Sequence, residues 1–587
     1  MFELYKAECR RFARWAMVIG ALHLAALLFI DRLFPGLRDE GEVCDILGAV
    51  YGVSGAILGV YQAAAYARMN HWITLLHRPL APWRIMLAVS GAGATMVCAA
   101  ILLPLLLFTA SQAIQVAPVV DARHWLLALA GALIATIGFL TGSCAALAPR
   151  RYGWTAVVAV VILTAGNSAV GAGALLCQAA IVVILVVLLA GAFKPDRAIA
   201  PTNPALLALT AGVAALSVYF LLLIGGGFLY QMSLVAIGRN ALVNMPPPGG
   251  LVEASRADGD DLIAAALRAA HTPQADAVRA RLPGVEVARI PVAMEALPAW
   301  GELTNSGPIT FADSSRRITW TFSHDARAFR GTGQKDLQPA GELRPADAFE
   351  APPLRVGDMM IAGGSLYVRD ASRGTLERRV HLPDGELIVA RPKPDGPTLA
   401  ILGNSALHLF DKTVLDGAAP RAVAVPLPGA IGDLRRLDLA RLPDMTIVSF
   451  FFGRDSIEGP AAAWQSVMSV TPDGAVRTLA RRSFDPEFSD ALRYRAYWLS
   501  PAIHVVADAA GKVGGTVGPI QQRAPVQVPR RVWIAALLLS LLAALCAASL
   551  ARRRRLSTPA SAAWSLATLA LGLPMLIAFW LTGKRRP

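Results

Sequence analysis

The sequence is short of charge. Only 16% of its 587 residues are Asp, Glu, Lys or Arg, while 55% are hydrophobic. An average soluble protein has about 25% charged residues, so part of this chain must avoid water. Cysteine is scarce as well. Cys9, Cys44, Cys98, Cys144, Cys177 and Cys546 all fall in or beside long apolar runs, and none lies between Arg239 and Arg530. That stretch therefore has no disulfides and needs an ordinary core, and no Cys/His spacing points to zinc. Phosphate-binding loops are missing: GTGQKD and AAGKVGG lack the GxxxxGK[ST] spacing that cradles phosphates and places a lysine on them. HExxH, GxSxG and aspartate-rich metal loops are absent too. No catalytic constellation and no cofactor are expected, so the sequence reads as a non-enzyme.

What is present is a series of apolar runs. Crossing a hydrocarbon core of about 30 Å takes about 20 apolar residues in a helix. Nine segments qualify: 13–30, 43–66, 85–110, 125–147, 154–170, 173–193, 204–230, 532–550 and 562–581. The fold expected is a polytopic α-helical membrane protein of about nine crossings, with a mostly β domain between the seventh and the eighth.

The net charge of +14 does not mark a nucleic-acid binder, because of where it sits. From Arg239 to Arg530 there are 33 basic and 32 acidic residues. The excess belongs to short loops and alternates along the chain. Lys6, Arg10, Arg11 and Arg14, then Arg68, Arg78 and Arg84, then Arg150 and Arg151, then Lys194 and Arg197 share one side. The loops between them carry Asp31, Asp39, Glu40, Glu42 and Asp121 against Arg32, Arg38 and Arg123. Under the positive-inside rule the N-terminus is cytoplasmic in a bacterial inner membrane and the β domain periplasmic. Arg552 to Arg555 anchor the end of the eighth crossing inside. A ninth crossing would leave Lys584, Arg585 and Arg586 outside, so either the last segment is re-entrant, or the count is off by one, or the tail breaks the rule.

Residues 1–12 place Phe2, Tyr5, Cys9 and Phe12 on one helical face, which reads as an interfacial helix or as a charged lead-in to the first crossing. The middle of 154–193, AGNSAVGAG, reads as a tight hairpin between two crossings. His23, Asn167 and Gln178 are the intramembrane polar residues. Structural hydrogen bonding between helices is their leading role, with ligand binding the alternative.

After the seventh crossing (204–232) the proline-rich MPPPGG opens a linker with short helices over 240–300. From about Thr304 the period becomes two: RITWTF, SLYVRD, LERRVHL, ELIVAR, LAILG, ALHLFD, TIVSFFF, SVMSVT and HVVAD read as strands. Pro383-Asp384-Gly385, Pro394-Asp395-Gly396 and Pro472-Asp473-Gly474 punctuate them as turns. A weak recurrence of 40 to 45 residues makes 301–530 a β-propeller of about five blades in preference to a sandwich. Two C-terminal crossings occupy 532–582.

The connection after the second crossing, YARMNHWITLLHRPLAPWRIMLAVSGAG, contains a short amphipathic helix ending at Pro79 and a second element led by Trp83 and Arg84. This loop resembles the coupling helix of ABC-2 type ABC transporter permeases, in which a leucine pair is followed by proline-x-x-arginine and an isoleucine before the third crossing. Leu75, Leu76, Pro79, Arg84 and Ile85 can be laid on that pattern; Asn70 and His71 stand where a glutamate and a glycine often precede the leucines. The resemblance implies that 13–197 is a six-crossing ABC-2-like unit. It further implies that Trp72, Leu75, Leu76, Arg78, Pro79 and Arg84 form an ATPase-coupling loop, that a separate cytoplasmic ABC ATPase is the partner, and that two membrane subunits pair in the bilayer. The alternative is a membrane-anchored periplasmic binding or sensing protein without transport.

Overall fold

The computed structural model describes residues 1–33, 41–66, 72, 74–75, 77, 79–115, 119–165, 171–194, 201–292, 297–305, 309–370, 374–454, 459, 462–514 and 522–583. The helical part opens with α1 (Phe2–Leu33), α2 (Gly41–Tyr66), α3 (Pro82–Ile114), α4 (Ala122–Leu147), α5 (Gly153–Ala165) and α6 (Gly171–Ala192). A long rod follows, made of α7 (Pro204–Phe220), a π-turn at Leu221–Gly225 and α8 (Gly226–Ala236). α1 is unbroken from Phe2 to Leu33, so residues 1–12 and the first apolar run share one helix. Among the described residues seven helices are long and apolar enough to cross a membrane. They include this rod and a helix near the C-terminus, and together they make a membrane-spanning helical region.

Small residues decide how α2 and α4 meet. A Cβ on Gly55 would come 2.1 Å from the Ala135 carbonyl oxygen, and one on Gly59 2.0 Å from that of Phe139. In return a Cβ on Gly138 or Gly142 would come 2.1 Å from the carbonyl oxygens of Gly52 or Ala56. The two backbones touch along a shared glycine stripe. That is how helices gain dispersion contacts where lipid supplies no hydrophobic drive.

Beyond the rod, α9 (Leu251–Arg256), α10 (Gly259–Ala270) and α11 (Pro273–Arg279) lead into seventeen strands. These form four antiparallel sheets in chain order. Sheet I holds β2 (Thr310–Asp313), β3 (Ile318–Ser323), β4 (Ala328–Gly333) and β5 (Pro339–Leu343). Sheet II holds β6 (Leu354–Val356), β7 (Met359–Ala362), β8 (Ser365–Asp370) and β9 (Thr375–His381). Sheet III holds β10 (Lys393–Asp395), β11 (Thr398–Leu402), β12 (Ala406–Asp411) and β13 (Ala422–Pro426). Sheet IV holds β14 (Leu434–Arg441), β15 (Thr446–Phe452), β16 (Ala463–Val470) and β17 (Val476–Phe484), and β1 (Val287–Ile290) pairs with its first strand. Gly385 (φ 82°), Gly396 (φ 53°) and Gly474 (φ 89°) take the left-handed turns their Pro-Asp-Gly triplets call for.

Each sheet packs on the next. Phe322, Phe329 and Phe349 meet Met360 and Tyr367 between sheets I and II. Leu366 and Val380 meet Leu399 and Ile401 between II and III, and Leu402 and Val425 share a core with Leu437 and Phe450 between III and IV. The other face of sheet IV is covered by helices: Ile263, Leu267 and Val278 of α10 and α11 pack on Ile447, Val467 and Ala480. Where a fifth blade was expected there is a helical layer, and among the described residues the sheets close into no ring or barrel. ELIVAR contributes only a single bridge, Ile388 to Gly403.

The C-terminal part departs further from expectation. It comprises α12 (Asp490–Arg493), α13 (Arg495–Leu499), α14 (Pro501–Gly514), α15 (Arg530–Arg553), α16 (Thr558–Leu571) and α17 (Leu573–Thr582). HVVAD lies in α14 and is helical. Ser500 accepts from the Ile503 N–H at 3.3 Å and Pro501 opens the first turn, a start signal that outranks a five-residue apolar run. The expected crossing at 562–581 is a hairpin. Gly572, at φ 70° and ψ −155°, occupies a conformation open essentially only to glycine, and the chain reverses there. Trp564 stacks on Phe579 at 4.3 Å. Arg554 donates to the carbonyls of Phe579 (2.9 Å) and Trp580 (3.1 Å). The end of α17 thus returns to the level where α15 ended.

Candidate functional site

The helical bundle has two distinct ends, and α4 runs between them. At one end its N-cap, Asp121, is clasped by sheet I. Ser323 Oγ donates to Asp121 Oδ1 at 2.6 Å and the His324 N–H to Oδ2 at 2.9 Å. Arg123 stands 3.7 Å from the same carboxylate and donates to Asn305 Oδ1 at 2.5 Å. The Ala122 N–H donates to Asp325 at 2.8 Å. Asp121, Arg123, Asn305 and His324 are all buried.

Sheets II and III show what this clasp is made from. In each, a carboxylate just before the sheet captures the turn between its second and third strands. Glu350 accepts from Ser365 Oγ (3.1 Å) and the Gly364 N–H (3.1 Å). Glu386 accepts from Ser405 Oγ (2.7 Å) and the Ala406 N–H (3.0 Å). Ser323, Ser365 and Ser405 sit at corresponding turns, 42 and 40 residues apart. In sheet I the turn is captured by Asp121, so a residue of the helical bundle completes the repeat of the β domain. Burial raises the Asp121 carboxyl, but the bonds from Ser323 and His324 and the Arg123 charge outweigh it and hold the group below the usual carboxylate range. Burial, reinforced by Arg123, pushes the His324 imidazole down to about 4. Neither of its ring nitrogens has a hydrogen-bond partner among the described residues.

At the other end lies the loop between α2 and α3. Trp72 and Leu75 are buried, with Trp72 4.8 Å from Phe193 at the end of α6. Thr74, His77, Pro79, Trp83 and Arg84 face outward, and the Arg84 guanidinium lies 5.2 Å from the Trp83 ring. Leu76 and Arg78 lie outside the described residues, as does Asn167. Glu8, Arg11 and Tyr66 join at the same end: Tyr66 donates to Glu8, and Arg11 to Tyr66 at 2.9 Å. Arg151 reaches the Gly583 carbonyl there at 3.4 Å.

Of the intramembrane polar residues, His23 bridges neighbouring helices. Its Nε2 lies 2.9 Å from the Tyr51 hydroxyl and its Nδ1 3.3 Å from the Ala100 carbonyl, a pairing that suits a neutral ring donating through Nδ1 and accepting through Nε2. Gln178 is half-buried, and its Oε1 has no hydrogen-bond partner among the described residues. No group of three or more His, Cys, Asp or Glu side chains capable of holding a metal occurs among the described residues.

Sequence reasoning missed the Asp121 clasp. Its only trace was the acidic loop before an apolar run followed by His124, whose Nδ1 accepts from the Asp121 N–H at 2.8 Å. The clasp on α4 and the glycine stripe joining α4 to α2 link the β domain to the body of the bundle. No protein-family model matches the chain, and neither does any curated protein.

Proposed function

We propose that this chain is the membrane subunit of an ABC-2-like transporter, worked by a separate cytoplasmic ATPase that docks on the loop between α2 and α3. The observation that carries the reading is the two-sidedness of that loop. Trp72 and Leu75 anchor it in the bundle, while Pro79, Trp83 and Arg84 stand outward at the end opposite the β domain. A loop so built transmits force without unfolding. A nucleotide-driven push on the loop and on Trp83 and Arg84, in the first turn of α3, would pass through α2 and α3 to α4, and through Asp121 to sheet I. Backbone-to-backbone contact suits such transmission because it has no side-chain slack.

In this reading the arginine-rich end is cytoplasmic, which obeys the positive-inside rule for Arg150, Arg151, Arg552 to Arg555 and, through the α16–α17 hairpin, Lys584 to Arg586. The β domain lies in the periplasm of a bacterial inner-membrane protein, a propeller-like arc of four blades whose fifth position is taken by α10 and α11, and it receives a substrate or a periplasmic partner. Two such chains would pair around the path.

The test is affinity capture of the intact chain in mild detergent, assayed for co-purifying ATP hydrolysis. Wild type should bring it down. Trp83→Glu with Arg84→Glu should lose it while eluting at the same volume in size-exclusion chromatography. If neither protein brings down ATPase activity, the transporter reading falls and the anchored binding or sensing protein takes its place.

A further inference from the structure

Helices α15 and α17 leave a groove of about 420 Å³ between them, within the range of about 300 to 1,000 Å³ usual for ligand sites, lined among others by Cys546, Ser549, Leu550, Arg553, Leu576 and Trp580. The first four recur at spacings of three, one and three residues, which puts them on one face of α15. The groove is graded along its length. Cys546 and Leu576 lie at its inner end, whereas Arg553 and Trp580 lie where both helices terminate. Seven residues of helix separate Cys546 from Arg553, about 10 Å.

The arginines at this end have divided duties. Arg554 is half-buried and spent on the carbonyls of Phe579 and Trp580. Arg555 closes the helix with φ 50°. Arg552 and Arg553 are exposed, and Arg553 borders the groove. Arginine presents planar paired donors that match a phosphate, and an exposed tryptophan at the end of a membrane helix sits at headgroup depth.

We propose that this groove is a binding site for one anionic phospholipid of the arginine-rich leaflet, its acyl chain lying along Leu550 and Leu576 and its phosphate on Arg553. The charge complementarity and the apolar-to-basic gradient choose this occupant over a neutral lipid or a soluble anion. A zwitterionic headgroup carries its own ammonium beside the phosphate and brings no net charge to the arginines, and a soluble anion leaves the apolar length uncovered. The inference rests on membrane placement of α15 alone and is independent of transport.

The test is native mass spectrometry of the full chain, delipidated and then exposed to mixed micelles containing phosphatidylglycerol or phosphatidylcholine of matched acyl chains. One phosphatidylglycerol should be retained per chain, with occupancy at least about fivefold above phosphatidylcholine; a fivefold preference needs only about 1 kcal/mol. Arg553→Gln should bring the two lipids level, and Cys546→Trp, which fills the inner end, should lower both. Arg552→Gln should keep the preference. Equal retention of the two lipids by wild type, a preference that survives Arg553→Gln, or displacement by millimolar inorganic phosphate would each overturn the proposal. If Cys546→Trp does not fold, Arg553→Gln decides alone, since an exposed arginine is dispensable for folding.

Discussion

The bundle and the β domain hold together by opposite means. Between α2 and α4 backbone meets backbone: glycines let carbonyls approach to distances at which a methyl group would collide. Between the sheets there is little else than side chains, with Phe322, Phe329, Phe349 and Tyr367 meeting edge to face at 5.1 to 6.1 Å. Water explains the difference. Aromatic surface gains free energy by leaving water, whereas within lipid it gains nothing by moving from one apolar neighbour to another, and only closer packing helps. The clasp at Asp121 follows a third rule. It lies where the two regions join, and it is made of charge-assisted hydrogen bonds that Asp121 accepts from Ser323 and His324.

The largest break should come from the glycine stripe. Gly138→Ala puts a methyl 2.1 Å from the Gly52 carbonyl oxygen and should cost about 3 kcal/mol, the upper end for overpacking, read as loss of monodisperse protein after extraction. Gly91→Ala, in α3 with nothing within 4 Å of the new Cβ, should instead be neutral or gain up to about 1 kcal/mol of helix propensity.

Next comes the contrast between equivalent carboxylates. Asp121→Ala removes the partner of Arg123 and of the sheet I turn and should cost about 3 kcal/mol, as breaking a buried ion pair does. Hydrogen exchange at 323–325 should speed up while the sheets stay folded. Glu386→Ala should loosen only the turn between β11 and β12 and leave the joint to the bundle protected.

Removal of the hairpin cap, Arg554→Ala, should cost about 2 kcal/mol for two hydrogen bonds from a charged donor, seen as protease cleavage near Gly583. Acidification should weaken the clasp through His324. With its pKa at about 4 when buried and 6.5 in the open, the released state takes up a proton that the clasped state refuses. The clasp therefore loses stability as pH falls from 6.5 to about 4. Asp121, held below its ordinary 3.8, gives up its contribution only below that range. Exchange at 323–325 compared at pH 7 and pH 5 reads this, and His324→Leu should abolish the difference. The smallest effect on stability, under about 0.5 kcal/mol, belongs to the exposed pair Trp83→Glu and Arg84→Glu, whose consequence is expected in ATPase capture.

Hydropathy made most of the helical region legible, because length and composition are local properties. Alternation with Pro-Asp-Gly turns did the same for the strands. What stayed hidden depended on partners distant in sequence. Asp121 looks like any N-cap until Ser323 is placed beside it. Residues 562–581 look like a span until Gly572 is seen to reverse the chain against Leu499, whose carbonyl lies 2.6 Å from where a Cβ would stand. HVVAD was misread because its period was weighed without the Ser500-Pro501 start before it. Around the connection between α2 and α3 the sequence did not tell which residues face inward: Trp72 and Leu75 are core, and Pro79, Trp83 and Arg84 are surface.

The β domain is clasped at one end of α4, and Arg11, Arg151 and Arg554 gather at the other. In a chain with its six cysteines replaced, a single cysteine at Asp444, exposed on the β domain, or at Lys584, just past the hairpin, can be labelled with a membrane-impermeant maleimide in intact spheroplasts. Cysteine at 444 should label fully and cysteine at 584 only after permeabilisation; labelling of both before permeabilisation, or of 584 alone, would contradict the account.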